Sequence, residues 1–433
     1  MAMNPKLPHR KESVMNRRSF IKSAALASGA TALGLLPAGA ALPRAKITKV
    51  NICRPPNLNP LFNQSNMVVT IETDQSGLIG VGEGGSVDTL TQCAGRLIGK
   101  NPFDIERCWQ DMDRAWFYPP GREKTHALGA LDLALWDIKG KALNVPVCDL
   151  IGGMNRTYVE CYLGGGGTGK KLQDNARAAM EAGYRAFRVD AASRDGQGGE
   201  VTDAGPLPGP IYNTHERVRQ VAQDAKDLRE GVGPNGDWII DLHQRFDFAD
   251  SLRACRLAEE YAPYYMEDPV RAEQFNDDIP KLRQLTTVPI AAGEEWGQRW
   301  DFNKLVENHD LDYVRCTLPN VGGITEMLKI AALCETHAIG LAPHFTGPIS
   351  TAALVHVLGP FSGPAIVEIG ANTRPASHLN EGLELRKGKL WPNGRIGLGV
   401  TLNLARLTLL SSITEPGPAR PTYYRPDGSQ TSW

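Results

Sequence analysis

The chain has 433 residues, with 47 Lys and Arg against 48 Asp and Glu, a formal net charge of -1, and 42% hydrophobic residues. A chain of this length carries a large core and room for more than one domain, and balanced charge with no basic run interleaved with aromatics excludes nucleic acid as an expected partner. The composition is that of a globular protein, which also excludes a disordered chain and a membrane fold.

The first segment stands apart. Asn16, Arg17, Arg18, Ser19, Phe20, Ile21 and Lys22 precede a small-residue apolar run, 23–36, that ends in Pro37-Ala38-Gly39-Ala40-Ala41. This is the order of a twin-arginine export signal with an A-x-A-like cleavage site, and Met15, just ahead of it, is an alternative start. The run is too short and too rich in Gly and Ala to span a bilayer comfortably. Residues 1–40 are therefore set aside as a signal, and the expected location is periplasmic or otherwise exported, with no stable membrane insertion after processing. The eight cysteines are scattered without C-x-x-C spacing, so neither a zinc site nor a disulfide scaffold is signalled.

Residues 46–52 and 67–72 alternate and carry β-branched side chains, and Gly77, Gly80 and Gly82 punctuate them, which predicts an antiparallel meander. Leu128, Leu131, Leu135, Ile138 and Ala142 then recur at helical steps, predicting an amphipathic helix over 125–143 that Val145-Pro146 stops. An α+β domain over 45–157 follows. From 158 to 395 the rhythm changes to short apolar strands, at 160–163, 186–190, 238–241, 264–267, 289–292, 313–316, 340–343 and 366–369, separated by helical stretches. Eight alternating units with no G-x-G-x-x-G after the first strand predict an α/β fold of the TIM-barrel type. Residues 370–399 read as loop in place of an eighth helix, a Gly/Pro-rich insertion over 191–210 is a candidate active-site loop, and 396–433 are expected to return to the first domain.

Three carboxylates each close one apolar run: Asp241 in DWIIDLHQRF, Glu267 in YYMEDP and Glu294 in VPIAAGEE. The gaps are 26 and 27 residues, about one βα unit each, so successive strands deliver one acid apiece to the same barrel rim. Three hard oxygen ligands converging on one point suit Mg²⁺. Such a cation could bind a substrate carboxylate and hold the second charge that forms when the neighbouring carbon loses a proton. His243 follows Asp241 by two residues, so in extended backbone it shares that face, with Arg245 beyond it. His344 ends the seventh strand, roughly opposite, and two histidines flanking a metal could divide proton abstraction and leaving-group protonation between them.

The stretches ALGALDLALWDIKGKALNVPVCDLIGG, IIDLHQRF, YYMEDP, PIAAGEE, NVGGITEMLKIAALCETHAIGLAPH and GLGV, in this order over 45–410, resemble the enolase superfamily in its mandelate racemase and muconate lactonizing enzyme branch. The resemblance implies an α+β capping domain over a modified (β/α)₇β barrel, an essential Mg²⁺ on Asp241, Glu267 and Glu294, and abstraction of the proton α to a carboxylate through an enediolate. Family members usually assemble as homo-oligomers. Within the branch the chain resembles acid-sugar dehydratases of the galactonate and mannonate types. His243 then looks like the acid that protonates the departing 3-hydroxyl, His344 like the galactonate-type base, and Glu368 like the last-strand glutamate that positions substrate.

Two departures define the alternatives. Arg188 and Asp190 stand on the second strand where racemases and cycloisomerases of the branch carry K-x-K, which disfavours lysine-base chemistry. Thr317 in RCTLPN stands where the galactonate type has an aspartate that orients its histidine, so the basicity of His344 should fall. The mannonate type offers a second base, a tyrosine activated by the strand-two arginine, and Tyr212 with Arg188, displaced from that spacing, ranks second to His344 for the role. The expected function is thus a Mg²⁺-dependent dehydratase of an aldonate-like sugar acid, giving a 2-keto-3-deoxy acid. The alternatives are a racemase, epimerase or cycloisomerase of the same superfamily and a non-catalytic sugar-acid binding protein.

Overall fold

The computed structural model describes residues 42–56, 67–116, 121–190, 213–271, 277–344, 347–370, 376–417 and 422–431. The twin-arginine segment, Tyr212 and the 191–210 insertion lie outside the described residues, as does the side chain of Asp190.

Alternating apolar positions set the first layer. Strands β1 (Ile47–Arg54), β2 (Val68–Thr73) and β3 (Ile79–Glu83) form an antiparallel meander, and Thr408–Ile413 pairs antiparallel with the outer edge of β1. The helix Arg122–Leu143 lies on this sheet. It begins one turn earlier than its apolar spacing predicts and is buried on more than one face, because the sheet covers one side and the barrel another. Contact with the sheet demands glycine: a Cβ on Gly80 or Gly82 would sit 2.1 and 1.9 Å from the carbonyl oxygens of Ala134 and Ala130. On the barrel side, a Cβ on Gly129 would meet the Pro319 carbonyl oxygen at 2.2 Å. Asn144, at φ 56°, turns the chain out of the helix in the left-handed conformation typical of a C-terminal cap.

The second layer is the barrel. Strands β4 (Val159–Gly165), β5 (Ala186–Asp190), β6 (Asp237–Asp241), β7 (Tyr265–Glu267), β8 (Ile290–Ala292), β9 (Tyr313–Val314), β10 (Gly340–Leu341) and β11 (Ile366–Ile369) pair in parallel, each with its neighbour in sequence. Closure comes from β11, which pairs in parallel with β4 and meets β10 through the Leu341–Ala365 bridge. A helix follows each of the first seven strands and, among the described residues, no α-helix follows the eighth, so the fold is the (β/α)₇β barrel with an α+β cap. The loop expected over 370–399 is corrected: Leu379–Glu381, Glu384–Arg386 and Lys389–Trp391 are short strands, and the last of them pairs antiparallel with β4. Among the described residues, no helix is long and apolar enough to cross a membrane.

The two-residue period of a strand sorts the barrel's residues into two sets. Outward positions such as Cys161, Phe187, Trp238, Ile240, Met266 and Val314 join the core under the helices. Inward positions one level down, Tyr162, Ala186, Ile239, Tyr265, Ala291, Ala342 and Ile366, form a separate apolar floor. Two residues further along several of these strands the inward set turns charged, and that level is the candidate site.

Cap and barrel are joined by buried polar contacts. Trp109 Nε1 donates to the Gly322 carbonyl at 2.7 Å, and Asp132 Oδ2 accepts from the Thr325 backbone N–H at 3.0 Å. Thr325 also donates its hydroxyl to Asp132 Oδ1, so a cap-domain carboxylate serves as N-terminal cap for the barrel helix Ile324–Thr336. Burial pushes the Asp132 carboxyl up to about 7, against the opposing pull of the Thr325 hydrogen bonds.

That shift has a sign. A carboxyl whose pKa is higher folded than unfolded favours folding below its ordinary pKa near 4, and the contribution is lost as pH rises toward 7. Asp132→Asn cannot ionise, so its stability deficit relative to the natural protein should shrink between pH 4.5 and 7.5, by at most about 1.4 kcal/mol per pH unit. Urea unfolding at the two pH values checks this; a deficit that stays constant or grows contradicts it.

Candidate active site

Asp241, Glu267, Glu368, Arg188 and Arg315 reach the site because their strands keep inward parity to the last turn, whereas Glu294 lies off that alternation, beyond Gly293 at φ 119°. Asp241 ends β6 and Glu267 ends β7, in register with one another; Glu294 lies two residues past β8, and Glu368 is on β11, in register with Tyr162 of β4. Arg188 on β5 and Arg315, one residue past β9, supply the positive charge.

Arg315 is fully buried and contacts most of this level. Its Nη2 stands 3.0 Å from Glu267 Oε1, 2.7 Å from Glu294 Oε2 and 2.9 Å from Glu368 Oε2, while Nη1 donates to the Tyr162 hydroxyl at 2.6 Å. Arg188 completes the ring. Its Nη1 donates to Asp241 Oδ2 at 3.0 Å and to Glu267 Oε1, and its Nη2 meets Glu368 Oε1 at 2.8 Å. Ligand atoms of Glu267, Asp268 and Glu294 all lie within 4.8 Å of one another. The structure therefore brings Glu267 and Glu294 together with Asp268, and ties Asp241 to Glu267 through the shared Arg188 nitrogen.

Charge governs this level. Burial raises the Glu267 carboxyl, although Arg188 and Arg315 oppose it, and burial with Glu294 as neighbour raises Asp268 well above the usual carboxylate range. Glu368 and Glu294 are also buried, yet are held low: Arg188, His344 and Arg315 bring Glu368 to about 2, and His344 and Arg315 carry Glu294 lower still.

Two histidines flank Glu294. His243 Nε2 lies 3.8 Å from its Oε1, and His344 Nε2 lies 3.8 Å from its Oε2 and equally far from Glu368 Oε2. The extended run expected from Asp241 to Arg245 is corrected. His243 has φ 49° and Gln244 φ 57°, and the His243 N–H donates to Asp241 Oδ1 at 2.7 Å, so the chain turns sharply after Asp241. His243 reaches the site from this turn, while Arg245 is exposed and its N–H closes the turn on the Leu242 carbonyl. Thr317 donates its hydroxyl to the Glu294 carbonyl at 2.9 Å, and Asn320 supports the same oxygen at 3.2 Å, so strand six steadies Glu294. Asp190 pairs in register with Asp241 along the backbone.

The residues fit a divalent cation. Five carboxylates (Asp241, Glu267, Asp268, Glu294 and Glu368) face two guanidinium groups, an excess of three negative charges when all are ionised. All of these donors are hard oxygens, and Asp268 Oδ2 is buried with no hydrogen-bond partner among the described residues. The sequence reading missed Arg315, Asp268 and Tyr162. The signal for Arg315 was available, since it precedes Thr317 by two residues and so shares its inward parity.

Comparison with known proteins gives a consistent picture. Residues 45–152 match the mandelate racemase / muconate lactonizing enzyme N-terminal domain, and residues 171–406 match the enolase C-terminal domain-like family. A D-galactonate dehydratase of Pectobacterium atrosepticum is 31% identical over 409 residues, covering 90% of this chain and 100% of that protein. Among solved structures, an enolase from Pantoea ananatis with bound D-gluconate and Mg superposes with a TM-score of 0.75 at 26% identity, over 84% of this chain and 94% of that one. A member of the enolase superfamily from Salmonella Typhimurium gives a TM-score of 0.74 at 26% identity, over 85% and 100%.

Removing one partner from a buried ionic network leaves uncompensated charge, which costs about 3–5 kcal/mol. Arg315→Met should therefore destabilise the chelator-treated protein by that amount in urea unfolding, with Arg315→Lys recovering part of it. A methionine variant as stable as the natural protein contradicts the assignment.

Proposed function

The chain belongs to the mandelate racemase and muconate lactonizing enzyme family of the enolase superfamily, and from that premise we propose that it is a Mg²⁺-dependent dehydratase of an aldonate-like sugar acid. The enzyme is of the dehydratase, lyase type. Its substrate class is inferred from the D-galactonate dehydratase relative and the D-gluconate-bound neighbour. The observation that carries the reading is the pair of histidines on the two oxygens of Glu294, which supports one base and one acid on either side of a candidate ligand.

Asp241, Glu267 and Glu294 would hold the cation, with Asp268 as a fourth carboxylate at the same point. When bound, the cation supplies positive charge for the substrate carboxylate as a second negative charge develops there. His344 Nε2 takes the α-proton, and the electron pair of the C–H bond passes into the substrate carboxylate as an enediolate. The pair then returns to form the carbon–carbon double bond as the bond to the 3-hydroxyl breaks, and His243 delivers a proton so that the group leaves as water. The resulting enol becomes the 2-keto-3-deoxy acid. Glu368, held by Arg188 and Arg315, is placed to accept from a substrate hydroxyl. Arg188 is engaged by Asp241, Glu267 and Glu368, which supports His344 ahead of the Tyr212 and Arg188 pair as base.

We also propose export through the twin-arginine segment. Replacing Arg17 and Arg18 with lysine should hold the full-length chain in the cytosolic fraction; a natural chain that is itself found there unprocessed sinks the export proposal.

The mechanism is tested in D₂O with Mg²⁺ and a sugar-acid panel that includes D-gluconate and D-galactonate, following α-proton exchange by NMR and keto product by semicarbazide. His344→Asn is expected to lose both signals, whereas His243→Asn keeps exchange and loses product formation about 100-fold. No exchange with any acid overturns the reading, and exchange that survives in His344→Asn removes His344 as base.

A further inference from the structure

We propose that Glu83, at the end of a cap-domain strand, is a positioning residue for His344, acting by capping in trans the helix that begins four residues beyond that histidine. The proposal rests on the reading of His344 as the base.

The helix Pro348–Leu358 opens without a side-chain cap of its own. Its N-cap is Gly347, which has no side chain to accept with, and Pro348 at the first position has no N–H to satisfy. The donors left over are the N–H groups of Ile349 and Ser350. Both point at one oxygen of Glu83: Oε2 accepts from Ile349 N at 2.9 Å, from Ser350 N at 3.0 Å and from Ser350 Oγ at 3.3 Å. These contacts span 266 and 267 residues of sequence, so the cap comes from β3 and the helix from the barrel. A carboxylate at this end of a helix also meets the positive end of the helix dipole.

Space confirms the fit. A Cβ on Gly347 would stand 2.2 Å from Glu83 Cδ and 2.3 Å from both of its oxygens. Gly347 has φ −143°, an extended conformation open to any residue, so the collision with Glu83 is what requires glycine there. Glu83 itself is 1% exposed, and burial pushes its carboxyl up to about 7 against the pull of its three donors.

The consequence for the site is one of reach. His344 and Gly347 are three residues apart, a tether of at most about 11 Å. His344 lies three residues past the end of β10 on one side, and Glu83 pins the chain on the other through the first turn of the helix. An imidazole that must meet an α-carbon within a few tenths of an ångström gains from an anchor this close, since misplacement by about 1 Å can cost 100-fold in rate.

The test compares Glu83→Ala, Glu83→Gln and Gly347→Ala in the full chain with Mg²⁺. Glutamine keeps an acceptor oxygen for both N–H groups, alanine keeps none, and Gly347→Ala keeps the Glu83 carboxylate but displaces it from the helix end. Steady-state kinetics use the panel acid that the natural protein turns over fastest, and selectively ¹³C-labelled histidines report the His344 imidazole by NMR, assigned with His344→Asn. Glu83→Ala and Gly347→Ala should lower kcat about 10- to 100-fold with KM changed less than about threefold, and shift the His344 resonance but not that of His243. Glu83→Gln should restore most of the rate and the natural resonance. A natural protein that turns over no acid refutes the proposed activity, while the NMR comparison still decides the role of Glu83. Unchanged kcat in Glu83→Ala, an unmoved His344 resonance, or a glutamine variant as impaired as alanine overturns the positioning role.

Discussion

Carboxylates crowded into a dry cavity repel one another, and the site's architecture answers that constraint. Two unit charges 4.8 Å apart, the outer limit for the Glu267, Asp268 and Glu294 ligand atoms, repel by roughly 3.5 kcal/mol at an effective dielectric of about 20. Three such pairs approach the whole stability of a typical domain. Arg315 answers part of this from strand six, because one fully buried guanidinium nitrogen serves three glutamates at once. Arg188 answers another part from strand two. What remains, when all are ionised, is an excess of negative charge among oxygen donors, the environment in which a divalent cation binds.

The same carboxylates gather the two histidines. They approach opposite oxygens of Glu294, one from the turn after strand three and the other from the end of strand seven. The barrel itself fixes the first of those approaches. The turn that brings in His243 depends on its left-handed backbone and on the Asp241 carboxylate accepting its N–H. On the other side, cap-domain acids reach across to the barrel helices, with Asp132 at one N-terminus and Glu83 at the next. The cap is thus joined to the site by buried hydrogen bonds as well as by apolar packing.

Much of this was legible in the sequence, and the parts that were not share a cause. The spacing of Asp241, Glu267 and Glu294 follows from one βα unit per carboxylate, so it survives as a simple interval. The eight strands were visible as apolar runs, although β9 and β10 are only two residues long as paired strands. Arg315 carries no motif of its own, and its inward parity shows only through Thr317, two places along on the same face. Asp268 was hidden by its neighbour, since adjacent strand residues ordinarily face opposite ways, and φ 39° is what turns its carboxyl toward Glu294. The left-handed turn at His243 and the trans caps leave no local signature: one depends on a backbone conformation that non-glycine residues seldom adopt, the others on partners nearly 200 or more residues away.

The most direct test of the account is a calorimetric titration of Mg²⁺ into the chelator-treated protein, with Glu267→Gln as the control. The excess of buried carboxylates predicts one saturable site per chain in the natural protein, weakened or lost when Glu267 becomes neutral. Saturable binding that is identical in the two proteins, or none in either, contradicts it.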